Sequence, residues 1–282
     1  MRGGITARAI QILLLSYLLA FALPVANAVI VLHEPATAGA PRSSGNEVPS
    51  SALAGYLIVL VLALLAAVLG IRTARLSPLD LDARKLGLRA AAPIGLRRPA
   101  VVVMYVALLG ITIGASVQIL NWCGIHGTGA SSGIAPGPGA LPVEVFHSAI
   151  AGVVEEPVLL ALPMALGWRA RWPWPVTLAV MIALRISFHV YYGWVSLFVV
   201  PWIAAAVVLY RWCPVLWPFV LGHGLFDVLV TLQVYGTADT QRAASAIFDV
   251  AVGAGSALGT YVLLSHARSQ VRSRDGRLGV PA

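Results

Sequence analysis

Three polar pairs lie within long apolar runs in the second half of the chain: Glu155 with Glu156, Arg185 with His189, and His223 with Asp227. Neighbouring positions on an α-helix point about 100° apart, so the two glutamates cannot address one spot; one can act while the other braces the helix. Arg185 and His189 are four residues apart, as are His223 and Asp227, so each pair shares a helix face. Three helices can thus aim carboxylates and imidazoles into one pocket. That set suits water activation, in which a desolvated glutamate takes a proton from water while His and Asp side chains hold an oxygen as it gains charge. Two histidines with one or two carboxylates are also a common zinc ligand set, so a divalent metal stays open. The chain has no His-Glu-x-x-His, and the lack of a compact ligand motif favours chemistry without a metal.

The elements that must carry these residues are membrane spans. Of the 282 residues, 59% are hydrophobic and only 11% are charged, more apolar surface than a soluble core of this length can hide. Runs of about 20 apolar residues, enough to cross roughly 30 Å of hydrocarbon, recur along the whole chain. They predict an all-α polytopic bundle of about eight spans in one membrane domain: Ala9 to Leu32, Ala52 to Ile71, Ala100 to Leu120, Val143 to Trp168, Trp174 to Trp194, Val195 to Trp212, Val215 to Tyr235 and Ala244 to His266. A basic start and Ala26-Asn27-Ala28 give the first run some likeness to a cleavable leader, but its apolar length favours an uncleaved helix.

Positive charge gives a second, independent reading of the topology. On one side fall Arg2 and Arg8, the seven Lys and Arg from Arg72 to Arg98, Arg169, Arg171, Arg211 and the four Arg from Arg268 to Arg277. Only Arg42 and Arg242 fall opposite, and Arg185 lies within a span. Short cytoplasmic loops keep positive charge, so both termini are expected in the cytoplasm, and the net charge of +8 reports topology rather than nucleic-acid binding. Seven of the eight Trp sit near predicted borders, with Trp202 alone lying deeper. Residues 72–99 form a basic, mildly amphipathic cytoplasmic loop suited to anionic lipid, and residues 121–142 a flexible outer loop rich in Gly, Ser and Pro.

Charge at a helix centre costs about 2.5 to 3.5 kcal/mol per residue on insertion, which makes each intramembrane ionisable group a candidate functional residue. The order and spacing of these groups resemble the CAAX-protease and bacteriocin-processing (CPBP) family of intramembrane endopeptidases. That family's motifs are Glu-Glu-x-x-x-Arg, Phe-x-x-x-His and His-x-x-x-Asn or Asp on successive core helices. Here they read Glu155-Glu156-Pro157-Val158-Leu159-Leu160, Arg185-Ile186-Ser187-Phe188-His189 and His223-Gly224-Leu225-Phe226-Asp227, within a motif region of about 143–235. The resemblance implies that Glu155 activates water, that Glu156, His189 and His223 assist, and that Asp227 helps to polarise the scissile carbonyl. It also implies a peptide or membrane-protein substrate, of which prenylated carboxy-terminal tails are one class, and a cell membrane of bacterial type.

Two positions depart from the pattern: Leu160 stands where the first motif has Arg, and Arg185 where the second has Phe. Arg185 is expected to supply the missing positive charge from the fifth span, pairing with Glu156 from the edge of the pocket and leaving Glu155 to the chemistry. Pro157 and Pro163 are expected to break backbone hydrogen bonds in the fourth span and to admit water. A catalytically silent immunity or scaffolding protein of the same fold is the first alternative. A proton- or ion-coupled transporter is the second, disfavoured because no paired repeat with matching broken helices is visible.

Overall fold

The computed structural model describes residues 2–33, 50–76, 97–125 and 140–278, and among them it contains helix and no strand. The helices are α1 (Arg2–His33), α2 (Ser50–Leu76), α3 (Arg97–Trp122), α4 (Ala140–Glu156), α5 (Leu162–Ala170), α6 (Trp174–His189), α7 (Val199–Trp212), α8 (Trp217–Tyr235) and α9 (Ala238–Leu278). A π-helical segment, Pro157–Ala161, joins α4 to α5 as one rod, and a 3-10 segment, Val190–Phe198, joins α6 to α7. Among the described residues, seven of the resulting rods are long and apolar enough to cross a membrane; α6 is a shorter apolar helix of 16 residues. The chain is an all-α, integral, multi-pass membrane protein. Most of the basic loop (77–96) and of the outer loop (126–139) lies outside the described residues.

Side-chain chemistry decides which rods are central. Val158, Leu159, Leu160, Ala161 and Leu162 follow one another with almost no exposed surface, so the middle of the α4–α5 rod is enclosed on all sides. By contrast α2 turns Leu57, Ile58, Val61, Leu64, Leu65, Val68 and Leu69 outward, as a rod facing hydrocarbon can. On α1, Ala9, Ile12, Leu13, Tyr17, Ala20 and Phe21 form a buried stripe at helical spacing. Its upper part braces α6: Phe21 stacks on Phe188 at 4.8 Å, and Tyr17 shares a 2.5 Å hydroxyl contact with Ser187. Trp122, Trp168 and Trp194 are exposed near rod ends, whereas Trp202 is buried in the central cluster with Tyr105, Leu160 and Met181.

The closest approach is between α4 and α8. A Cβ on Gly152 would collide with the Val220 carbonyl, and one on Gly224 would lie 2.8 Å from the Ala149 carbonyl oxygen. Without a hydrophobic drive between helices in lipid, such small residues are what lets two backbones meet. Gly222, two residues before Gly224, lets Tyr105 of α3 pack against α8. Three glycine contacts thus set the depth at which α3, α4 and α8 bring their polar groups together.

The fifth expected span is revised. Apolar residues run on from Trp174 to Trp194, but the α-helix stops at His189. His189 itself has φ −93° and ψ 1°, and Gly193 adopts φ 66°, ψ −145°, a backbone region open to glycine and strained for other residues. The break places His189 at the end of α6 rather than inside a continuous rod.

Candidate functional site

Glu155 and Glu156 are the last two residues of α4. Pro157 has no N–H to donate, and its ring crowds the carbonyl four residues back, so the α-helical ladder cannot continue through it. The chain widens instead of kinking: Leu162 N–H reaches the Pro157 carbonyl across a five-residue turn. Single π turns of this kind are frequent at functional sites, and this one begins beside the glutamate pair. The expected loss of backbone hydrogen bonding at Pro157 takes this form.

The two glutamates enter different surroundings, as their 100° separation requires. Glu156 has no exposed surface. Its Oε1 accepts from Tyr105 Oη at 3.0 Å and Arg185 Nη2 at 3.2 Å, and lies 2.7 Å from His223 Nδ1. Glu155 keeps 14% of its side chain exposed and is held through Oε2 by Arg185 Nη1. Electrostatically it acts on His189, His223 and Asp227 together.

Arg185 corrects two expectations. It lies at the centre of the cluster, with no exposed surface, rather than on its edge, and it pairs with both glutamates rather than with Glu156 alone. A planar guanidinium presents several N–H groups in a fixed fork, which is how one side chain spans two carboxylates that diverge from adjacent helix positions. Its flat face rests on the Trp202 ring, 4.3 Å from guanidinium carbon to ring centre. Leu160, at the family's Arg position, is buried in the apolar cluster instead.

The histidines are held differently. His189 Nδ1 is 2.9 Å from the Arg185 carbonyl oxygen, which can only accept, so Nδ1 carries the proton and Nε2 is the acceptor of the neutral ring. The ring sits among Phe188, Tyr192 and Phe198. His223 lies between two carboxylates, with Nδ1 toward Glu156 and Nε2 3.4 Å from Asp227 Oδ2. Asp227 leaves 30% of its side chain exposed.

The structure therefore brings Glu155, Glu156, Arg185, His223 and Asp227 into one contact network, with His189 in its field. No family model, curated protein or solved structure matches this chain. The motif resemblance rests on its own residues.

Tyr105 and Trp202 escaped the sequence reading. Tyr105 donates to Glu156 and accepts from Trp202 Nε1 at 3.2 Å, while Trp202 also meets His223 edge to face at 5.3 Å. The sequence did carry a signal for each: a tyrosine in mid-span, and the one tryptophan far from a border, both placed where amphipathic rings normally need a buried partner. Among the described residues, no three His, Cys, Asp or Glu side chains are placed to hold a metal ion.

Proposed function

We propose that this chain is an intramembrane endopeptidase of the CPBP type, in which Glu155 activates water against a peptide bond at or near the membrane. The observation that carries the reading is the division between the glutamates: Glu156 is sealed, its Oε1 shared by Tyr105, Arg185 and His223, while Glu155 keeps exposed surface and a carboxylate oxygen, Oε1, that no described residue engages. In this mechanism Oε1 takes a proton from water, whose other hydrogen is accepted by His189 Nε2. The water oxygen bonds to the carbonyl carbon, and the negative charge that develops on the carbonyl oxygen faces the α8 pair. His223 Nε2, which faces Asp227, donates to that oxygen. The proton held by Glu155 passes to the amide nitrogen as the C–N bond breaks.

One observation favours a second reading, a catalytically silent immunity or scaffolding protein of the same fold. Arg185 ties Glu155 Oε2 into the same buried pairing that holds Glu156, an arrangement that a purely structural network also makes. Cleavage of a peptide library by purified full-length protein in lipid, with and without chelator, distinguishes the two. Cleavage that Glu155→Gln removes supports the enzyme; a library left intact by the wild type supports the silent relative.

A further inference from the structure

The polar network continues beyond the glutamates. On α4, Glu144 and Ser148 lie eleven and seven residues before Glu155, and at about 100° per residue all three fall on one stripe roughly 40° to 60° wide. Facing them on α8 are Thr231, Asp227 and His223, at intervals of four. The two stripes meet: Ser148 and Thr231 share a buried 2.6 Å hydroxyl contact, and Gly152 and Gly224 hold the backbones together between that contact and the glutamates. At the far end Glu144 is buried, accepts from Tyr56 Oη at 3.3 Å and lies 3.8 Å from His147, whose half-exposed ring stacks on Tyr56 at 4.0 Å. Asp227 lies between the ends, in the electrostatic field of both His147 and Glu155.

Packing alone accounts for a hydroxyl pair between helices, but not for a buried carboxylate at one end of the seam and the chemistry at the other. A second observation comes from the centre. Glu156 Oε2 and Arg185 Nε are buried without a hydrogen-bond partner among the described residues. Buried polar atoms are nearly always satisfied, by ordered water where no side chain reaches.

We propose that the α4–α8 seam is a hydrated path, about 16 Å long, that carries water and protons from a mouth at Glu144, His147 and Tyr56 to the carboxylates around Arg185. Positive charge is scarce near that end of α4, so the mouth opens on the face away from the basic loops. The path rests on the hydrolytic reading only for the use to which the water is put: hydrolysis consumes one water per bond, and a site among membrane spans needs a route for it.

Two measurements on the full chain in phospholipid vesicles test this. In the unsubstituted protein, hydroxyl-radical labelling should mark buried His223, because water beside it generates the radical in place, and should spare Phe219 on the same helix, which is equally buried in apolar surroundings. In a Cys123→Ser, Cys213→Ser background, Ser148→Cys and Thr231→Cys should react with a membrane-impermeant thiosulfonate roughly tenfold or more faster than Val230→Cys and Val234→Cys on the outward face, since only a hydrated thiol ionises and reacts. An unlabelled His223, or seam cysteines no faster than the outward ones, overturns the path. Persistent cleavage by Glu155→Gln would overturn the hydrolytic reading and leave the labelling result standing.

Discussion

Arg185 Nη2 lies 3.2 Å from Glu156 Oε1, and neither side chain exposes any surface. A buried pair of this kind does little for net stability while intact, because desolvation consumes the attraction, but breaking it strands a charge. Arg185→Leu strands two carboxylates and removes the face that covers Trp202. It should destabilise the protein by about 3 to 5 kcal/mol, read as a loss of thermal stability in detergent. In that background Leu160→Arg, which gives the first motif the form of the family it resembles, should recover part of that loss if its guanidinium reaches Glu156. A neutral Arg185→Leu would end the compensation argument.

Tyr105→Phe keeps the ring packed on Gly222 but removes the donor to Glu156 and the acceptor for Trp202 Nε1. The expected cost is about 1 to 3 kcal/mol, since two buried groups lose a partner at once. Trp202→Phe in the same background should add less than it does alone, because the two residues share one network. Thermal melts of the two single variants and the double variant measure this directly.

Gly152→Ala adds one methyl where the Val220 carbonyl already sits. The helices must separate, and His223 leaves its 2.7 Å contact with Glu156. Stability should fall together with any hydrolytic activity, whereas Gly253→Ala, in open space on α9, should leave both unchanged. Equal behaviour of the two variants would show that the α4–α8 approach does not position the site.

Reporter fusions after Leu32, Trp122 and Tyr235 should report outside, and fusions after Arg75, Arg171 and Arg277 inside, as the charge bias requires. Fusions after Arg171 and Tyr192 together bear on α6, whose 16 residues are short for a full crossing. Opposite sides mean that α6 crosses with the help of the 3-10 segment that follows it; the same side means that α6 enters and returns.

Much of this arrangement could be read from the sequence, and the rest depended on contacts that no local pattern encodes. The apolar runs located the rods, and the four-residue spacings of Arg185 with His189 and His223 with Asp227 put each pair on one face. The stop at His189 was hidden because apolar residues continue across it, with Gly193 as the one local sign. Pro157 signalled a broken ladder, but whether the chain kinks or widens depends on the packing around Val158 to Leu162. The double pairing of Arg185 was missed for a different reason. Helix geometry sends Glu155 and Glu156 apart, and only the forked shape of guanidinium brings them back to one partner. Tyr105 lies on α3, far along the chain from the motifs, and reaches the site through its packing on Gly222.

The central claim is that Glu155 performs the chemistry and Glu156 holds the frame. Its most direct test is peptide cleavage by purified wild type and Glu155→Gln, with thermal stability measured on the same samples. Glutamine is close in shape and removes the base, so cleavage should disappear while Tm shifts only slightly, because Arg185 keeps Glu156. Cleavage that persists in Glu155→Gln would contradict the assignment.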